Sequence, residues 1–103
     1  SPRAAACHIG PGMITSDEPG VYLEGRYGIR TENEILCIKK DGKYAFEMIT
    51  FCPYERDAID VSMLTEPEIK FVDDYHRKVY ETLSPLLDED VSGWLEEQCR
   101  GLI

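Results

Sequence analysis

Ile14-Thr15-Ser16-Asp17-Glu18-Pro19-Gly20-Val21-Tyr22-Leu23, joined through Glu24-Gly25-Arg26 to Tyr27-Gly28-Ile29-Arg30-Thr31-Glu32-Asn33-Glu34, is the stretch that decides the fold. Its turn residues predict two strands folding back about Gly25. In that antiparallel register paired residue numbers sum to 50, and Glu18 falls opposite Glu32. Directly opposed side chains have Cβ atoms about 4.5–5.5 Å apart. Two ionised carboxylates there repel, and burial would force one to keep its proton. A divalent cation attracts both; in two-metal hydrolases the ions lie about 3.5–4 Å apart, a span that bridging carboxylates cover. Alternation along the second strand puts Arg30, Glu32 and Glu34 on one face. Arg30 there either orients ligands or pairs with a surface Glu. Facing glutamates in a hairpin are also commonly plain solvated charges, and Pro19 interrupts regular pairing. Spacing alone leaves both readings open.

Working outward, Met13–Glu18 and Val21–Leu23 read as extended segments on the near side of the turn, and Ile29–Lys39 as a longer strand on the far side. Asp41-Gly42 is a hairpin dipeptide, and Tyr44–Cys52 returns as a strand that ends at Pro53. The period then changes. Thr65-Glu66-Pro67-Glu68 is a capping box with proline in the first turn. Val72, Tyr75, Val79, Leu83 and Leu86 recur at helical spacing, and Pro85 closes that helix. A shorter helix follows from about Asp90, with Val91, Trp94, Leu95 and Leu102 predicted to face the core. Strands first and then two helices make an α+β layout.

At 103 residues the chain is one domain at most, and 43% hydrophobic with 30% charged residues is an ordinary globular composition. The net charge of −9 is uneven: residues 1–52 hold 6 Lys and Arg against 7 Asp and Glu, residues 53–103 hold 5 against 13. Such a chain repels nucleic acid, whose binding rests on neutralised phosphates. No apolar run approaches the roughly 20 residues of a membrane span. Cys7, Cys37, Cys52 and Cys99 show no zinc-ligand spacing. Cys37 and Cys52 lie in apolar strand-like runs, where a reduced cysteine acts as a small hydrophobe. Ser1–His8 lacks the apolar core of a signal segment, so a cytoplasmic location with reduced thiols is expected.

At the residues quoted first, the sequence resembles the creatinase/aminopeptidase P family of metallopeptidases. Gly12-Met13-Ile14-Thr15-Ser16-Asp17-Glu18-Pro19-Gly20-Val21-Tyr22 is similar to the family's Gly-Met…Glu-Pro-Gly-x-Tyr segment, and Gly28-Ile29-Arg30-Thr31-Glu32-Asn33 to its Gly-Ile-Arg-x-Glu-Asn segment. Downstream, Phe46–Pro53, Ile59-Asp60, Leu64-Thr65, Asp74-Tyr75-His76, Leu83–Leu87 and Trp94-Leu95 resemble the region after the last ligand in the three-domain members. The resemblance implies the C-terminal part of a pita-bread α+β fold over residues 12–103. Residues 1–11 read as an N-terminal loop; residues 1–9 have no family counterpart, and an artificial extension is one reading of them.

By the same resemblance Glu18 and Glu32 are metal ligands, with Tyr22 and Arg30 supporting them from behind. The implied activity is release of the N-terminal residue before proline. Two divalent ions, usually manganese, are the implied cofactors, and peptides with proline at the second position the implied substrates. The family's site also needs two aspartates and a histidine upstream, and a His-Glu-x-Pro segment that contacts substrate; none occurs here. His8, in Cys7-His8-Ile9-Gly10, matches no family segment and reads as a loop histidine. His76, beside the apolar position Tyr75, reads as a helix-surface or packing histidine. The chain alone is therefore expected to be inactive, to bind metal weakly, and to bury an exposed strand face (Ile14, Ile35 and Leu36 among its residues) in an oligomer or a complementary fragment of the same enzyme. The rival reading is a non-catalytic protein-binding module on the same fold.

Overall fold

The chain reverses at Gly25, whose φ of 69° suits glycine, and the Arg26 N–H bonds Leu23 O at 2.9 Å to close the turn. The computed structural model describes residues 6–103. They fall into two compact units, one ending at Thr50 and the other spanning Phe51–Ile103.

In the first unit β1 (Ile14–Asp17), β2 (Gly20–Leu23), β3 (Tyr27–Arg30), β4 (Asn33–Lys40) and β5 (Lys43–Met48) are all antiparallel to their partners. β2 pairs β3 with Gly20 opposite Arg30, and β1 pairs β4 with Ile14 opposite Leu36. Both ladders keep the register expected for a fold-back about Gly25. They are two stretches of one hairpin, interrupted at Glu18-Pro19 on one side and Thr31-Glu32 on the other. The continuous strand expected over Ile29–Lys39 is thus split in two. Pro19 has no N–H to give a ladder there, although its carbonyl still accepts from Thr31 N at 3.1 Å.

β4 continues into β5 through Asp41-Gly42, with φ of 52° and 77°. Both residues are left-handed, as the favoured two-residue hairpin turn requires. β5 ends at Met48 rather than Cys52, and Cys52 is exposed. Among the described residues of this unit, Cys37 (1% exposed) and Asn33 (4%) are the buried ones. Ile14, Val21, Ile29, Tyr44 and Phe46 all stand exposed, while Ile35 and Leu36 are half-buried.

The second unit begins with two short 3-10 turns, Arg56–Ala58 and Val61–Met63, before α1 (Glu66–Leu83). The capping box forms as its residues predict: Thr65 Oγ1 accepts from Glu68 N, and Glu68 Oε2 accepts from Thr65 N at 2.9 Å. Tyr75, His76 and Val79 are the buried residues of α1. Leu86 departs from the expected apolar face. It lies in the 3-10 turn Ser84–Leu86 that Pro85 imposes, and it is 79% exposed.

Asp88 caps α2 (Glu89–Gln98) by accepting from Val91 N at 2.9 Å. Leu95 is buried, but Trp94 and Val91 are exposed, against expectation. The inner face of α2 carries Ser92, Leu95 and Gln98, at helical spacing, and Val91 and Trp94 fall one step round from it. The tail is pinned by side chains from elsewhere in the unit. Arg56 donates to the carbonyls of Arg100 and Gly101, and Asp73 Oδ1 accepts from Leu102 N at 3.0 Å.

His76 is a packing histidine, fully buried, with Nε2 accepting from Tyr54 N at 3.0 Å. The neighbouring Tyr75 stacks on Tyr54 at 4.7 Å between ring centroids, and its hydroxyl donates to Cys52 O at 2.7 Å. Cys52-Pro53-Tyr54 and Tyr75-His76, distant in sequence, thus hold each other. No helix among the described residues is long and apolar enough to cross a membrane.

Candidate metal centre

Glu18 follows β1 directly, and both of its carboxylate oxygens are engaged. Oε1 accepts from Ser16 Oγ at 2.8 Å, and Oε2 lies 3.6 Å from a guanidinium nitrogen of Arg30. The two side chains of that ion pair remain 54% and 40% exposed, so it orients more than it stabilises. Arg30 reaches across the hairpin to Glu18.

Tyr22 completes this corner. It lies opposite Gly28, and a Cβ on Gly28 would stand 2.6 Å from Tyr22 Cδ1. A Cβ on Gly20 would stand 2.5 Å from the Tyr22 hydroxyl. The ring is therefore laid over two glycines, with its hydroxyl above Gly20, the residue paired with Arg30. Only residues without side chains leave room for a tyrosine lying flat on the ladder in this way.

Glu32 sits in the break between β3 and β4 and is exposed. Its backbone is held on both sides, by Thr31 N to Pro19 O and by the start of β4 at Asn33. The structure thus brings Glu18, Arg30 and Tyr22 to one face of the hairpin, with Glu32 at the break facing Glu18 in register. Glu34 is also exposed; its N–H and carbonyl are tied to Thr50 and Ile49. His8 is exposed on the N-terminal loop, and His76 is buried within the second unit.

The donors fit a hard divalent cation in kind, since both are carboxylates. In number they fall short. No group of three or more His, Cys, Asp or Glu is gathered to hold a metal among the described residues.

Residue spacing did not single out the Asn33–Thr50 pair. Asn33 Nδ2 donates to Thr50 Oγ1 at 2.9 Å, beside Glu32. The signal was available: the Asp41-Gly42 turn sets the β4–β5 register, and extending it two residues past Met48 puts Thr50 opposite Asn33.

A family model described as the C-terminal region of peptidase M24 matches residues 42–102. The chain belongs to that family. A "probable Xaa-Pro aminopeptidase P" of Coprinopsis cinerea is 44% identical over 98 residues, covering 84% of this chain and 16% of the relative. Another from Laccaria bicolor is 38% identical over 101 residues, covering 88% of this chain and 16% of the relative. The peptidase M24 chain thus spans about a sixth of the length of these curated relatives. Among solved structures, the X-prolyl aminopeptidase of Caenorhabditis elegans superposes with a TM-score of 0.80 at 28% identity, over 90% of this chain and 17% of that one. That protein is described as a cytosolic enzyme with a di-nuclear active site. The strands-then-helices arrangement expected from the sequence is the fold of this part of an X-prolyl aminopeptidase.

Proposed function

We propose that the full-length protein to which this chain belongs is an Xaa-Pro aminopeptidase, removing the N-terminal residue of peptides whose second residue is proline. The observation that carries the reading is the corner built from Glu18, Arg30 and Tyr22, facing Glu32 across the hairpin break. Relatives named for this activity, and a structural neighbour with a di-nuclear site, support it.

Glu18 and Glu32 are the ligands this chain supplies to two divalent ions, of which manganese suits carboxylate donors. When bound, such ions polarise the scissile carbonyl and lower the pKa of water. The chain's own residues prepare for that. Ser16 and Arg30 fix the Glu18 carboxylate before any ion arrives, so less orientation is lost on binding. Arg30 also offsets the repulsion between two facing carboxylates. Tyr22 lies flat on the same face of the hairpin and fills the space over Gly20 and Gly28.

The remaining ligands belong to other parts of the enzyme, so the isolated chain is inactive. Its exposed sheet residues, Ile14 among them, pack in the cytosolic enzyme against a complementary part of the same protein or a second copy. The test is calorimetric titration of this chain with manganese, beside Xaa-Pro hydrolysis by the full-length enzyme. Weak binding by the chain, and loss of hydrolysis in Glu18→Ala and Glu32→Ala, are expected. Tight two-site binding by the chain alone, or full activity in both variants, would refute the ligand assignment.

A further inference from the structure

We infer that Asn33 and Thr50 form a positioning pair for Glu32; the inference rests on the ligand role proposed for that glutamate. Asn33 is 4% exposed, and among the described residues of its unit only Cys37 is buried as well. Burying an amide without partners costs about 1–3 kcal/mol, so a buried asparagine beside a functional carboxylate calls for a reason.

The reason lies in the backbone. Pro19 stands opposite Thr31, one step from Glu32, and two strands that would otherwise hold the carboxylate in register let go of each other there. Thr50 takes over from the other side. Its hydroxyl oxygen accepts from Asn33 Nδ2 at 2.9 Å and from Glu34 N at 3.3 Å, using both acceptor positions of one oxygen. The Glu34 carbonyl accepts from Ile49 N at 3.0 Å. With Thr31 N bonded to Pro19 O at 3.1 Å, Glu32 is left as a single step between two anchored residues. Its carboxylate can then meet a metal without the backbone moving, although no regular strand runs through it. A ligand misplaced by a fraction of an ångström loses affinity, which is why supporting hydrogen bonds matter as much as the ligand.

Thr50→Val in the full-length enzyme removes the shared oxygen and keeps the side-chain shape. Titration of the metal-free protein with manganese is expected to show affinity lowered by about 10–100-fold, with KM for an Xaa-Pro peptide unchanged at saturating manganese. Thr50→Ser, which keeps the hydroxyl, should bind manganese as the wild type does. Wild-type affinity in a folded Thr50→Val overturns the inference, and so does an equal loss in Thr50→Ser. Where Thr50→Val does not fold, amide hydrogen exchange in the wild type decides. The Glu34 amide should be protected, and exchange as fast as in unbonded loop amides overturns the inference. Unchanged manganese affinity in Glu32→Ala would instead remove the ligand role itself, which separates failure of that reading from failure of this one.

Discussion

Gly28→Ala tests whether Tyr22 must lie flat on the hairpin. The added Cβ would stand 2.6 Å from Tyr22 Cδ1 and 3.2 Å from Cε1. Ordinary carbon–carbon contact is about 3.5–4.0 Å, so the ring must retreat by roughly 1 Å. Gly28 does not have a positive φ, so alanine suits its backbone and removes unfolded-chain entropy worth about 0.4–1 kcal/mol. Against that stands the rotamer cost of a displaced tyrosine, about 0.5–1.5 kcal/mol. Tyr22 is 64% exposed, so it has solvent to move into. The two terms nearly cancel, and stability should change by less than about 1 kcal/mol. Activity should fall by about 10-fold or more if Tyr22 supports the ligands from where it lies. The assay is Xaa-Pro hydrolysis by the full-length enzyme beside urea unfolding, in wild-type and Tyr22→Ala backgrounds. In Tyr22→Ala the obstacle is gone, and Gly28→Ala should then cost nothing further. Full activity in Gly28→Ala, or a loss that simply adds to that of Tyr22→Ala, would refute the reasoning.

Two further outcomes are expected. Arg30→Ala frees the Glu18 carboxylate on one side and should lower Xaa-Pro hydrolysis by about 10–100-fold without unfolding the protein; Glu32→Ala should cost more, and Glu34→Ala little, so equal damage from Glu34→Ala and Glu32→Ala would show the ligands misassigned. Burial, with a smaller contribution from Arg56 and against the opposing charge of Asp73, holds the His76 pKa below the ordinary 6.5. The unfolded chain therefore takes up this proton at a higher pH than the folded one, and stability should decline as pH falls from 6.5 toward the folded value. The slope from one such group is at most about 1.4 kcal/mol per pH unit. Urea midpoints at successive pH values should show this decline in the wild type and lose that part of it in His76→Gln; identical profiles would place His76 outside the linkage.

The turns and the helix start were legible in the residues because each is a local matter. Glycine at 25 and Asp41-Gly42 supply left-handed backbone wherever they occur, and one such turn sets the register of everything paired beyond it. Thr65 and Glu68 likewise cap α1 with bonds spanning three residues. From those signals alone follow the α+β order and the register on both sides of Glu18 and Glu32. Only the folded chain decided where the hairpin lets go. Pro19 signalled an interruption, but the relief appears across the ladder at Thr31-Glu32, on a strand whose own composition is continuous. Only there, too, does Arg30 reach Glu18 across the hairpin, since side-chain alternation says which face a residue shares and not which neighbour it bonds. Trp94 and Val91 stand in solvent while His76 is enclosed, because a helix offers several faces and the packing of distant segments selects one. Contacts closed over a few residues can be read from the chain. Those that depend on which distant group packs against a shared surface exist only in the tertiary structure.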